Sequence, residues 1–209
     1  MKKFILAFIT LFIMTSASLA DSNVYITQSG AALDLDITID GNANAVGASN
    51  DRTLLTGANL DVDIDLIGAT NTITGDFIGA GNSGSDDLKI NQTGNTNTTA
   101  LNVGASAATD DVRIIENREG SSGETTYTIG SAATVQDVTV TVDVVGDDID
   151  IALTENSSSS GSDKTTDIDM ATDSDDVDIV VTHTGAGAHK TKLLCTGSCA
   201  GSDFTMSQT

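Results

Sequence analysis

Proline and tryptophan are absent from the 209 residues, aromatics make up 3%, and there are two cysteines. Without proline, every extended segment can donate a full ladder of backbone hydrogen bonds. So few aromatics fill a thick globular interior poorly, and two closely stacked sheets suit the chain better. Positive charge is scarce as well: 9 Lys and Arg stand against 30 Asp and Glu, a net charge of −21. Such a surface repels nucleic acid and anionic lipid. G-x-S-x-G, H-E-x-x-H and a phosphate-binding glycine loop are also missing, so no residue is nominated as catalytic and no cofactor is expected.

Lys2 and Lys3, the apolar run Phe4 to Met14 and the small residues Ser18-x-Ala20 before Asp21 form the pattern of a secretory signal over residues 1–20. The apolar run is about eleven residues, too short to span a bilayer. An exported protein is expected, with residues 21–209 as one repeat domain and no integral membrane segment after signal removal. Loss of the two lysines and of no acid takes the charge to −21 − 2 = −23.

The dominant pattern is strict alternation. Leu33, Leu35, Ile37 and Ile39 are separated by Asp34, Asp36 and Thr38, and Leu60, Val62, Ile64 and Leu66 by Asp61, Asp63 and Asp65. Val138, Val140, Val142 and Val144, then Ile149, Ile151 and Leu153, then Ile168 and Met170 continue it. Period-two alternation with β-branched residues on one face predicts half-buried strands, and a slip of one residue buries the aspartates. The reading is an all-β chain of about fifteen short strands. Stretches rich in Gly, Ser, Asn and Asp at 46–53, 104–110, 118–123 and 154–166 read as loops bulging from one array.

One unit repeats. In Ser85 to Gly104 the residues Leu88, Ile90 and Gln92 alternate, Thr93 to Asn97 supply a turn, and Thr99, Leu101 and Val103 return. The frame recurs at Val24-x-Ile26-x-Gln28-x-Gly30, at Ile179-x-Val181-x-His183-x-Gly185 and at Phe204-x-Met206-x-Gln208. The turn element Gly-x-x-Asn recurs at Gly41/Asn44, Gly68/Asn71, Gly79/Asn82 and Gly94/Asn97. Two strands per rung at roughly 22 to 26 residues lie in the solenoid range. The expected fold is a two-strands-per-rung β-solenoid of about seven to eight rungs, with these residues as its stacking and turn positions.

Ser22-NVYIT-Gln28-Ser-Gly30 and Asp86-DLKIN-Gln92-Thr-Gly94-x-x-Asn97 resemble the curlin repeat, S-x5-Q-x-G-x-x-N-x-A-x3-Q, of bacterial curli fibre subunits. Thr99 and Val103 stand where the family has Ala and the second Gln, and Glu116 occupies an inward Gln position. The resemblance implies a secreted subunit that self-assembles into amyloid fibres at the cell surface, for adhesion and biofilm matrix. It also implies an outer-membrane secretion apparatus and a nucleating subunit as partners.

Cys195 and Cys199, four residues apart in an exported chain, are expected as a disulfide. A metal site with His183 and His189 lacks H-x-x-x-H or paired C-x-x-C spacing, so no metal ligand is nominated. The repeated Asp-x-Asp reads as a solvated acidic face that opposes sideways sheet association, since no calcium-loop pattern is present. A discrete secreted solenoid that binds polysaccharide or ice through threonine rows is the alternative to a fibre subunit. Finally, Ser202 to Thr209 reads as the first strand of an unfinished rung, with Asn23 to Gln28 of another molecule as its expected partner.

Overall fold

The computed structural model describes residues 22–30, 32–47, 53–57, 59–79, 86–104, 111–130, 137–157, 163–171, 174–185 and 187–209. The signal segment 1–20 and Asn82 lie outside them. Alternation becomes β1 (Ser22–Val24), β2 (Thr27–Ser29), β3 (Asp34–Asp40), β4 (Ala43–Val46), β5 (Thr53–Gly57), β6 (Asp61–Ile67) and β7 (Thr70–Gly79). The chain continues with β8 (Asp86–Thr93), β9 (Thr96–Val103), β10 (Val112–Glu119), β11 (Ser122–Ile129) and β12 (Val138–Val145). It ends with β13 (Ile149–Ser157), β14 (Lys164–Met170), β15 (Val177–Gly185), β16 (His189–Cys195) and β17 (Asp203–Gln208).

All pairing is parallel, in two sheets. A seven-stranded sheet runs β3-β6-β8-β10-β12-β14-β16, and a ten-stranded one runs β1-β4-β7-β9-β11-β13-β15-β17 with β2 and β5 completing its first layers. Each rung is one strand of the first sheet followed by one of the second, so the fold is an all-β, two-strands-per-rung solenoid. Stacked residues are mostly 26 or 27 apart, with 22 between β1 and β4 and between β5 and β7, 28 between β13 and β15, and 25 in the last rung. The usual spacing exceeds most of the expected range, because doubling an eleven-residue half-rung leaves out the return loop between rungs.

Inward residues of the two sheets meet in a thin core built almost entirely from Val, Ile and Leu. Burial alternates strictly along β6, β10 and β14, as the register argument requires. Residues 118–123, expected to bulge, instead form the tight turn from β10 to β11. Gly120 stacks there on the glycines of earlier rungs, a role that composition alone disguises as a loop.

The acid-rich composition has a backbone cause as well as a surface one. Asn59, Asp111 and Asp137, each just before a strand of the seven-stranded sheet, have φ of 55°, 53° and 47°. Asp148 and Asp176 hold 54° and 57° before β13 and β15. Asn and Asp enter this left-handed region at lower cost than other side-chain-bearing residues, so they serve as repeated corners.

Candidate functional site

Parallel in-register stacking puts the same position of successive rungs one strand spacing apart, so polar residues form columns that run along the solenoid. Asn44, Asn71 and Asn97 make one such column at the turns, each at most 2% exposed. Asn44 Nδ2 donates to Asn71 Oδ1 at 3.0 Å, and Asn71 Nδ2 donates to Asn97 Oδ1 at 2.9 Å. The same amides cap turn carbonyls: Asn44 on Ile67 at 2.9 Å, Asn71 on Thr93 at 3.1 Å and Asn97 on Glu119 at 3.0 Å. The column ends at Gly123, the partner of Asn97 in the next rung.

Gly41, Gly68, Gly94 and Gly120 make the neighbouring column. A Cβ on Gly68 would sit 2.0 Å from the Gly41 carbonyl oxygen, and one on Gly94 1.9 Å from that of Gly68. Glycine is required here by close approach of backbones between rungs. Gly79 pairs with Gly57 at the end of β7, and Asn82 of the same element lies outside the described residues.

The frame carried by Gln92 does not stack as the sequence implies. Gln92 lies in the seven-stranded sheet between Leu66 and Arg118. Gln28, His183 and Gln208 lie in the ten-stranded sheet, in a column that runs Gln28, Leu55, Phe77, Val103, Ile129, Glu155, His183, Gln208. Alternation is identical in the two halves of a rung, so the motif cannot say which sheet it enters. Gln28 and Gln208 are exposed at opposite ends of that column. Gly30 N–H donates to Thr56 O at 2.9 Å and Gly185 N–H to Thr209 O at 2.9 Å. Arg118, not Glu116, occupies the Gln92 column; Glu116 stacks on Ile90.

Glu116, expected at an inward position, and Arg118 begin a buried polar spine. Glu116 Oε1 accepts from Thr99 Oγ1 at 2.8 Å, and its Oε2 accepts from Tyr127 OH at 3.0 Å and Thr125 Oγ1 at 3.1 Å. Arg118 Nη2 donates to Glu124 O at 2.8 Å and lies 3.5 Å from Glu116 Oε1. Burial, then the adjacent Glu116 carboxylate, pushes the Tyr127 phenol well above its usual range. Gln92 joins this cluster by accepting from Thr99 Oγ1 at 3.1 Å.

A second cluster lies nearer the C-terminal end. Glu155 Oε1 accepts from Thr166 Oγ1 at 3.2 Å, and its Oε2 is 2.7 Å from His183 Nδ1. His183 Nε2 is 3.0 Å from Thr191 Oγ1, and the His189 ring centroid is 4.9 Å from that of His183. Acid, imidazole and hydroxyl stand in the order used for acyl transfer. His183 is 4% exposed between two rungs, however, and the arrangement ties β13, β14, β15 and β16 together. Lys164 is buried beside them, and burial lowers the pKa of its ammonium.

Cys195 and Cys199 are joined as a disulfide in the link from β16 to β17. Among the described residues, no three His, Cys, Asp or Glu side chains are grouped to hold a metal. An apolar gap of about 20 Å³ beside Phe77 and Leu101 has room for about one water and no organic ligand.

The outward faces are acidic columns. Asp34, Asp61 and Asp87 align, as do Asp36 and Asp63. Desolvation, then Asp63, Asp87, Asp34 and Asp36, raises the Asp61 pKa. Asp150 is raised by desolvation and then by Asp178, Glu124, Asp148 and Asp176. Cations interrupt these columns: Arg113 Nη2 is 2.7 Å from Asp87, Lys89 4.0 Å from Asp63 and Lys192 2.9 Å from Asp167.

Among the described residues, the β16–β17 end of the stack is uncovered. β17 shows Phe204 44% and Met206 65% exposed, although both point along the inward columns of Ile179 and Val181. β17 is the second strand of its rung, after β16, so the expectation of an unfinished rung at 202–209 does not hold. The half-rung is at the other end. β1 and β2 stand one layer outside β3, with no described strand of the seven-stranded sheet in their own layer. No protein-family model, curated protein or solved structure matches the chain.

Proposed function

We propose that the chain is a secreted structural subunit of curli-like extracellular fibres, joined end to end through the open rungs. The observation that carries this reading is the uncovered β17 end of the stack: Phe204 and Met206 continue core columns yet face solvent among the described residues. A solenoid that works as a discrete molecule needs polar caps over its terminal rungs. The outward columns support the same reading, because the column that begins at Asp36 and ends at Lys192 can be extended by another rung with opposite charges adjacent. Export by the 1–20 segment, an outer-membrane secretion apparatus and a nucleating subunit belong to the same proposal.

The test is incubation of purified residues 21–209 followed by sedimentation and electron microscopy. Unbranched fibres that bind thioflavin are expected. A chain that stays monomeric for days at high concentration, at acidic pH and moderate salt, favours the discrete surface-binding solenoid instead. That alternative requires regular outward threonine rows, and the column Arg113, Thr139, Thr165, Lys190 shows how short they are.

A further inference from the structure

We infer that β1–β2 is a removable cap over the growth end, displaced by β17 of a second copy when two molecules join; this rests on the fibre reading above. In the ten-stranded sheet β1–β2 lies one layer outside β4–β5, whereas in the seven-stranded sheet β3 is itself the outermost strand. At the other end β16 and β17 finish in the same rung.

Two junctions are therefore conceivable. If β17 pairs with β1–β2 of the next copy, the ten-stranded sheet is continuous, but β16 and the neighbour's β3 are left two layers apart. That leaves a slot one strand wide, lined by unpaired backbone donors and acceptors. If instead β16 pairs directly with the neighbour's β3, both sheets close without a gap. β17 then occupies the position that the neighbour's β1–β2 holds over β4–β5.

Two observations favour the gap-free junction. The first is charge. In the outward columns Asp34 shares its column with Lys190, and Asp36 shares its column with Lys192. Direct β16–β3 pairing in the register of the solenoid sets Lys190 beside Asp34 and Lys192 beside Asp36. The same two columns already hold Asp–cation pairs between rungs, Asp87 with Arg113 and Asp63 with Lys89. Pairs of this exposure steer association and fix register more than they add affinity.

The second observation is likeness. Column by column, β17 matches the cap it would replace: Asp203 for Asn23, Phe204 for Val24 and Gln208 for Gln28, with Met206 at the level where Ile26 leads into β2. β17 is also the longer strand. It pairs over six consecutive residues with β15, while the same number in the cap is split between β1 and β2, three each, by a break at Tyr25 and Ile26. The repeated Φ-x-Φ-x-Gln frame at the two ends of the chain is then one strand and its stand-in.

The experiment compares elongation of wild-type seeds by residues 21–209 and by variants of it. Deleting residues 22–30 should raise the elongation rate about tenfold if the uncapped state is about one molecule in ten of the intact chain. K190D/K192D in the intact chain should slow elongation, and adding D34K/D36K to it should restore self-assembly while leaving it poor on wild-type seeds. Circular dichroism checks that the deletion keeps its β-content; if it does not, the charge-reversal set decides alone. Slower elongation after the deletion, or charge reversals without effect, overturns displacement and leaves the gapped junction. Absence of assembly by every form, wild type included, removes the fibre reading itself.

Discussion

Asn71→Ala removes the middle of the asparagine column. Its Nδ2 donates to Asn97 Oδ1 and Thr93 O, and its Oδ1 accepts from Asn44 Nδ2. The neighbours are not equally harmed. Thr93 O keeps the Gly68 N–H at 3.0 Å, and Asn44 Nδ2 keeps Ile67 O. Asn97 Oδ1, buried at 0% exposure, loses its donor. One orphaned buried acceptor costs about 1–3 kcal/mol and two lost hydrogen bonds about 0.5–1.5 kcal/mol each, so the variant should lose about 2–6 kcal/mol. Asn44→Ala should cost less, because Asn44 Oδ1 already has no partner among the described residues and its removal is relieving. Asn71→Asp should be as damaging as Asn71→Ala, since a carboxylate has no N–H to give. Urea unfolding of the three variants reads the order directly. An Asn71→Ala loss below about 0.5 kcal/mol, or one no larger than that of Asn44→Ala, would refute the column as a source of stability.

Gly94→Ala should destabilise by more than about 1 kcal/mol, because its Cβ would meet the Gly68 carbonyl oxygen at 1.9 Å and the rungs must part; urea midpoints check it. Glu116→Gln should cost about 3–5 kcal/mol by leaving Arg118 buried without its counter-charge, as read by thermal unfolding. For pH, Asp61, Asp86, Asp143 and Asp150 all have raised pKa values, with desolvation as the largest cause in each. The folded state therefore takes up protons at these sites before the unfolded chain does. Their penalty is full above the raised folded values and is relieved as pH falls through them towards 3.8, so their contribution to stability rises on acidification in that window. Urea unfolding from neutral pH downward should show the gain, and D61N/D150N should flatten it.

Much of the fold is legible because the side-chain period of a strand is two and parallel stacking repeats like on like. Asn44, Asn71 and Asn97 reveal their column by spacing alone, and the Val138 to Val144 run reveals its buried face. The sheet that each strand enters is not legible. Val24, Ile26 and Gln28 have the same alternation as Leu88, Ile90 and Gln92, yet they lie in opposite sheets, since alternation carries no label for the half-rung. The buried spine was hidden by charge. Glu155 follows Ile151 and Leu153 in strict alternation, Arg118 follows Ile114 and Glu116, and Lys164 precedes Thr166 and Ile168. Carrying the alternation past the last apolar residue of a strand places all three inside. The usual exposure of ionic side chains argues the other way, and the facing Thr and Tyr hydroxyls together with Arg118 make Glu116 tolerable there.

X-ray diffraction from aligned fibres of residues 21–209 tests the central claim most directly. Strands that lie across the stacking axis and rungs that continue from one molecule into the next predict a meridional reflection at about 4.7–4.8 Å and an equatorial one at about 10 Å. Fibres whose strand spacing lies on the equator, with strands running along the fibre, would contradict end-to-end growth of the solenoid.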